Sequence, residues 1–242
     1  MMNLIIIVVS TLIVWSCSNQ DNLDEKAEMK TKPNQNMTGQ FSYLALGDSY
    51  TIGERVEESE RFPVQLAKKL NEENISVSKP LIIAKTGWTT DELSDGIKVA
   101  NLTQNFNLVT LLIGVNNQYR GRDTAEYRAQ FKELLQTAIN FTGSAKKVVV
   151  ISIPDYGVTP YAENRNPEKI GKEIDQFNKI NREETINMDS HYVDITGISR
   201  NAKTDNTLVA ADGLHPSGEM YRLWVKQIFP KAKIILENQR NK

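Results

Sequence analysis

Two short apolar runs in the middle of the chain constrain its fold more than any other feature. Residues 108–113 and 148–153 consist almost entirely of Val, Ile and Leu. A strand that is apolar on both faces is covered by helices on both sides, which is typical of a parallel sheet. The sequence therefore predicts an α/β fold with these runs as strands.

The rest of the domain alternates further short apolar runs with helical patterns. The predicted strands are residues 41–46, 81–84, 108–113, 148–153 and 192–195, and the predicted helices are residues 62–74, 91–102, 123–141, 167–188 and 217–237. Because parallel strands are joined by right-handed crossovers, this succession predicts a three-layer α/β/α sandwich. We expect a five-stranded parallel sheet of the flavodoxin-like kind.

The pattern of the first 39 residues predicts an export signal followed by a polar tether, and not part of a folded domain. Residues 4–15 are apolar but shorter than the roughly 20 residues of a spanning helix. Residues 14–17 resemble the lipobox of bacterial lipoproteins, whose cysteine is acylated, here Cys17. We predict a signal peptide (1–16), a polar flexible tether (17–39) and one domain (40–242), in a membrane-anchored lipoprotein of the bacterial envelope. A secreted soluble protein or an uncleaved anchor is the alternative.

Charge and histidine content exclude several classes of function. Lys and Arg number 29 against 30 for Asp and Glu, and the net charge of −1 gives no field suited to nucleic acid. His191 and His215 are the only histidines, which excludes a His-rich metal site and leaves two candidates for an imidazole base. His191 stands at the start of its predicted strand, the wrong end for a site.

Four loops carry the residues that chemistry alone would select. In an open parallel sheet, ligands bind beyond the carboxyl ends of the strands. Segments 47–51, 85–90 and 114–119 each follow a predicted strand directly, and segment 211–216 immediately precedes the last helix. The sequence therefore predicts that the four segments meet at one edge of the sheet.

Ser49, Asp212 and His215 have the residue types of an acyl-transfer triad. A serine hydroxyl needs a base within hydrogen-bond reach, and that base needs a partner that fixes its tautomer. Asp212 and His215 are three residues apart, so they can lie side by side on one turn. The Gly-x-Ser-x-Gly elbow of α/β-hydrolases is absent, because Thr51 stands where its second glycine would be.

The four segments together resemble the conserved blocks of the SGNH, or GDSL-type, hydrolases. The matching residues are Gly47-Asp48-Ser49, Gly87, Gly114-Val115-Asn116 and Asp212-Gly213-Leu214-His215-Pro216. The resemblance implies Ser49 as nucleophile, His215 as base and Asp212 as its orienting carboxylate. It further implies an oxyanion hole made by the Ser49 and Gly87 N–H groups and the Asn116 side chain, with no cofactor and no metal.

One position departs from the family pattern, and several residues have simpler interpretations. Asn117 replaces the aspartate that usually ends the third block, which leaves the hydrogen bonding of that loop open. Ser49 alone is also compatible with a helix N-cap, and Asp48 with a turn cap. Trp88, Tyr119 and Tyr156 are candidates for a pocket wall or for ordinary loop packing.

The predicted activity is hydrolysis of carboxylic esters through a serine acyl-enzyme. The family resemblance implies a short-acyl or carbohydrate esterase, or alternatively a lysophospholipase or thioesterase acting on lipid acyl chains. A tethered binding protein without turnover is the rival from another class. Phosphoryl transfer is disfavoured because the sequence has no Gly-rich Lys-Ser/Thr loop.

Overall fold

The structure is a computed structural model that describes residues 40–240. The predicted signal peptide, Cys17 and the tether at 17–39 lie outside the described residues. Among the helices of residues 40–240, none combines the length and the apolar character needed to cross a bilayer.

A five-stranded parallel sheet forms the middle layer. Its strands are β1 (Tyr43–Gly47), β2 (Leu81–Ala84), β3 (Leu108–Leu112), β4 (Val148–Ile151) and β5 (His191–Val193), in the order β2-β1-β3-β4-β5. Every pairing is parallel. The order reverses between β1 and β3, which makes their carboxyl ends the expected position of a site. The predicted fold class is confirmed.

Helices cover both faces of this sheet. They are α1 (Ser49–Ile52), α2 (Phe62–Glu72), α3 (Thr90–Ala100), α4 (Val115–Tyr119), α5 (Thr124–Asn140), α6 (Pro167–Asn187), α7 (Thr196–Ser199) and α8 (Gly218–Arg240). Helices α2 and α8 pack together on one side, and α3, α5 and α6 pack side by side on the other. The two helical layers bury both faces of β1, β3 and β4, whose residues are all buried.

The predicted elements are present, with small shifts at their ends. The strand predicted at 148–153 ends at Ile151, and beyond it the backbone N–H and carbonyl of Ile153 bond the Asn178 side chain instead of a neighbouring strand. Helices α1, α4 and α7 were not predicted. Each has only four or five residues, too few to show helical periodicity.

Aromatic packing links α8 to the loop after β1. Trp224 of α8 is fully buried and meets Tyr221 edge to face, with ring centroids 5.1 Å apart. It also contacts the Tyr50 ring at 6.2 Å. Such pairs contribute about 0.5–1.5 kcal/mol beyond the burial of their area. This packing holds Tyr50, and with it the preceding residue Ser49, against the core.

Candidate active site

The loop after β1 places Ser49 at the start of a short helix. Asp48 is the N-cap of α1, and its Oδ1 accepts the Tyr50 backbone N–H at 3.0 Å. Ser49 is therefore the first residue of the helix, whereas the simpler interpretation made Ser49 the N-cap. A Cβ on Gly47 would lie 2.1 Å from Thr51 Oγ1 and 2.3 Å from the Leu112 carbonyl oxygen, so only glycine fits there. The tight turn carries Ser49 to the carboxyl edge of the sheet.

Asp48 is a fully buried carboxyl beside this serine. Its Oδ2 has no hydrogen-bond partner within residues 40–240. Burial raises the pKa of Asp48 to about 7, despite the hydrogen bond from the Tyr50 backbone. The neutral acid is therefore the form that this site favours.

Asp212 and His215 form a hydrogen-bonded pair within one turn before α8. Asp212 Oδ2 lies 2.6 Å from His215 Nδ1, while Oδ1 accepts the backbone N–H groups of Leu214 and His215 at 3.0 Å. Gly213 has a φ of 72°, which suits a residue without Cβ. The turn thus holds the carboxylate against the imidazole, and Arg55 Nε, from the segment after α1, lies 3.8 Å from Asp212 Oδ2.

The charge state of Asp212 determines the histidine tautomer. Partial burial acts to raise its pKa, but the hydrogen bonds from the His215 ring and the two backbone N–H groups outweigh it and hold the pKa below its usual range. Asp212 is therefore a carboxylate, and His215 Nδ1 donates its hydrogen to it. In the neutral ring this leaves Nε2 as a proton acceptor.

Tyr50 connects the nucleophile loop with the histidine turn. The His215 ring packs edge-on against the Tyr50 ring, with centroids 5.9 Å apart, and Ser49 and His215 line one pocket. No hydrogen bond between the Ser49 hydroxyl and the His215 ring is present among the described residues. In many enzymes such catalytic hydrogen bonds tighten only in the substrate complex.

Gly87 and Asn116 lie in the same pocket. Gly87 has a φ of 87°, a Cβ there would lie 3.9 Å from Arg120 Nη2, and the Gly87 carbonyl accepts a hydrogen bond from that nitrogen at 2.6 Å. Asn116 Nδ2 donates to the Trp88 carbonyl at 3.0 Å. An amide nitrogen has two hydrogens, so the second remains for a ligand. The loops after β2 and β3 are thereby tied to each other.

Asn117, the departure from the family pattern, makes two side-chain hydrogen bonds to Thr90. It is buried, its Oδ1 accepts the Thr90 backbone N–H at 3.1 Å, and its Nδ2 donates to Thr90 Oγ1 at 2.7 Å. The Thr90 hydroxyl in turn donates to Gln130 Oε1. An aspartate could not donate to Thr90, so the network suits the amide.

Four tyrosines line the pocket, which has a volume of about 190 Å³. Tyr119 and Tyr156, the two tyrosine candidates for a pocket wall, are among them, together with Tyr50 and Tyr161. Trp88 does not line the pocket, because its indole packs on Gly96 of α3, where a Cβ would lie 2.1 Å from Cη2. For Trp88 the loop-packing interpretation is the one that the structure supports.

Two residues of this region were missed by the sequence reasoning. Tyr161 lies five residues after Tyr156, and Arg165 lies four residues further on. Both contact Tyr119. His191 is the first residue of β5 and so lies at the opposite edge of the sheet from the pocket. Within residues 40–240 no group of three acidic, His or Cys side chains could hold a metal ion.

Solved structures with the same fold include several ester hydrolases. A lipase/acylhydrolase from Enterococcus faecalis is 21% identical with a TM-score of 0.60, over 80% of this chain and 96% of that one. A psychrotrophic esterase from Pseudoalteromonas sp., in a structure inhibited by monoethylphosphonate, is 15% identical with a TM-score of 0.62, over 82% of this chain and 100% of that one. An acetylxylan esterase from Geobacillus stearothermophilus is 16% identical with a TM-score of 0.61, over 80% and 95%.

Family membership follows from the sequence match and not from these distant structures. No curated protein matches the chain. The model of the GDSL-like lipase/acylhydrolase family matches residues 45–223, a range that runs from β1 through the histidine turn into α8. The chain therefore belongs to the GDSL-like lipase/acylhydrolase family and is a serine ester hydrolase.

Proposed function

We propose that this enzyme hydrolyses short-acyl esters, carried by a carbohydrate or similar alcohol, through an acyl-enzyme on Ser49. The observation that carries the proposal is the Asp212–His215 pair, joined at 2.6 Å, whose histidine lines one pocket with Ser49. It supplies an imidazole whose Nε2 is free to accept a proton beside a serine hydroxyl.

The chemistry proceeds in two halves. His215 Nε2 takes the Ser49 proton as Oγ attacks the ester carbonyl carbon, and the same proton then passes to the departing alcohol oxygen. Water next attacks the acyl-enzyme, gives a proton to Nε2, and the carboxylic acid leaves as Ser49 regains its hydrogen. Asp212 stays ionised throughout and stabilises the imidazolium that forms in each half.

The tetrahedral oxyanion has three candidate donors. The backbone N–H groups of Ser49 and Gly87 have no partner among the hydrogen bonds of the described residues, and Asn116 Nδ2 retains one hydrogen. Donors fixed in advance toward developing charge are worth about 10²- to 10³-fold each in rate. Arg120, through the Gly87 carbonyl, and Trp88, through Asn116, act as positioning residues for this set.

Pocket size favours a short acyl group over a lipid chain. The volume of about 190 Å³ is smaller than the roughly 300–1,000 Å³ of pockets that enclose larger ligands. The exposed tyrosine rings at its rim suit the face of a sugar. Hydrolysis of lysophospholipids or thioesters is the second candidate, supported by the lipase/acylhydrolase description of the family.

Labelling by a serine-directed fluorophosphonate tests the nucleophile and the base. The wild type should be labelled, whereas Ser49→Ala and His215→Ala should not. Ser76→Ala is the matched control. It alters an exposed serine that does not line the pocket, and this variant should be labelled like the wild type. A wild type that is neither labelled nor active on an activated ester would refute the proposal and favour the binding-protein alternative.

A series of p-nitrophenyl esters tests the acyl preference. We expect kcat/KM to fall steeply as the acyl chain lengthens beyond a few carbons, because a volume of about 190 Å³ encloses only a short chain. Acetylated sugars and long-chain lysophospholipids are then compared at equal concentration. Faster turnover of the lysophospholipids would overturn the short-acyl assignment and leave the ester-hydrolase assignment intact.

We also propose a lipid anchor at Cys17, supported by the lipobox-like segment 14–17 and the polar residues after it. Each buried methylene of an acyl chain contributes about 0.8 kcal/mol to membrane binding, so several chains hold a protein stably. Cys17→Ala should move the enzyme from the membrane fraction to the soluble fraction. Unchanged membrane association of this variant would rule the anchor out.

A further inference from the structure

Tyr119, Tyr161 and Arg165, here called the tyrosine–arginine rim, form a hydrogen-bonded cluster at the pocket. The two hydroxyls are 2.9 Å apart. Arg165 Nη2 donates to Tyr161 at 2.9 Å and to Tyr119 at 3.3 Å. The guanidinium carbon lies 4.6 Å from the Tyr161 ring centroid and 5.3 Å from that of Tyr119, within cation–π range. The cluster is therefore a defined structure and not three independent surface side chains.

This rim adjoins the catalytic loops. Tyr119 ends α4, three residues after Asn116, and both tyrosines line the pocket that contains Ser49. The Tyr161 backbone N–H donates to the Gly213 carbonyl at 2.9 Å, inside the histidine turn. Tyr119 is 48% exposed and Tyr161 38% exposed, so both rings face a ligand that enters.

The free hydrogen-bonding groups of the tyrosine–arginine rim are almost all donors. One hydroxyl donates to the other, so one phenolic hydrogen remains free, whichever tyrosine carries it. Arg165 uses only Nη2, and its Nε and Nη1 hydrogens have no partner among the described residues. Hydrogen bonds from Tyr161 and Arg165 lower the pKa of Tyr119. A donor-rich cluster of this kind is complementary to an acceptor-rich group.

The charge of the rim has no internal counterion. Within residues 40–240, no carboxylate lies within 4.0 Å of the Arg165 guanidinium. Glu173, on the adjacent helix α6, is engaged instead by Gln118 at 2.7 Å and by Lys169 at 3.7 Å. A planar cation with a free fork of donors matches a carboxylate, which it can bind through two parallel hydrogen bonds.

We propose that the tyrosine–arginine rim binds a carboxylate on the alcohol part of the substrate, so that the substrate is an O-acylated acidic sugar. The inference rests on the proposed function, because a short acyl group has no charge of its own and only the alcohol part can bring one to the rim. The sugar ring lies against the exposed tyrosine faces, and its carboxylate reaches Arg165.

Two acetylated sugars that differ in one group test the inference. An acetylated methyl glucuronoside and the corresponding glucoside differ only in bearing a carboxylate or a hydroxymethyl group on the ring. For the wild type at low salt we expect kcat/KM to be about tenfold higher for the acidic sugar. The preference should shrink as salt is added, because screening weakens an exposed charge pair.

Three variants relate this preference to Arg165. Arg165→Gln should reduce the ratio of the two kcat/KM values to about one, and Arg165→Lys should restore part of it. Arg182→Gln removes the same charge from an exposed position of α6 and should keep the wild-type ratio. The ratio compares two substrates on the same protein. It can therefore still be measured when a variant loses activity on both sugars.

Distinct outcomes separate this inference from the proposed function. If the wild type hydrolyses both sugars equally, or if Arg165→Gln keeps the preference, the carboxylate assignment is overturned. A strong preference for an anionic lysophospholipid over both sugars would also overturn it, since the anion would then be a lipid headgroup. If no ester is hydrolysed and Ser49 is not labelled, the proposed function itself fails.

Discussion

Replacing Asp48 with asparagine tests whether this buried carboxyl opposes folding at neutral pH. Burial raises the pKa of Asp48 to about 7, from an ordinary value of 3.8. Between these values the unfolded chain has released the proton and the native chain still holds it. Stability that is present below pH 4 is therefore lost as the pH rises, and the loss is complete once the pH passes about 7.

The magnitude follows from the size of the shift. A raised pKa of about three units corresponds to about 4 kcal/mol, at 1.36 kcal/mol per unit. A domain of ordinary stability has about 5–15 kcal/mol in total, so the effect is readily measured. Asp48→Asn keeps an oxygen that can accept the Tyr50 backbone N–H and does not titrate.

The assay is urea unfolding of the wild type and Asp48→Asn at pH 4 and pH 8. We expect the free energy of unfolding of Asp48→Asn, relative to the wild type, to increase by about 4 kcal/mol between the two pH values. Any cost of the new amide that is independent of pH cancels in this comparison. A difference between the two proteins that is the same at both pH values would refute the reasoning.

Three further substitutions concern the segment between β3 and α5. Asn116→Ala should lower kcat for p-nitrophenyl acetate about 10²- to 10³-fold while the circular dichroism spectrum is kept, because an oxyanion donor is lost; a loss below tenfold would contradict that role. Gly114→Ala should destabilise the fold by more than about 3 kcal/mol, since φ is 126° and the new Cβ would lie 2.3 Å from the Tyr127 hydroxyl. Gly121→Ala, at φ 63° with open space around it, should cost only about 1 kcal/mol in the same thermal or urea unfolding assay.

Sequence patterns predict the sheet because its strands are buried on both faces. A strand such as β3 must be apolar throughout, and that requirement is visible in one chain. The four site segments could be placed for a related reason, since the carboxyl ends of parallel strands share one edge. Gly47 and Gly114 stand in two of these segments, and the structure shows that a Cβ at either position would clash with its neighbours.

The contacts between loops could not be predicted in this way. Tyr119 and Tyr161 are 42 positions apart, and their hydroxyl pair depends on how two loops settle against each other. The same holds for Trp88, whose indole packs on Gly96 and does not line the pocket. An aromatic residue in a loop has the same local sequence signal whether it faces a ligand or the neighbouring helix.

The short turn from Asp212 to His215 has a kinetic consequence. Because its own backbone N–H groups hold the carboxylate against the ring, the turn can drift as a unit while the Asp212–His215 pair stays intact. Drift of the turn relative to β1 then changes how often the imidazole reaches Ser49. Substitutions at Gly213, whose carbonyl accepts the Tyr161 backbone N–H, should thus alter the turnover number.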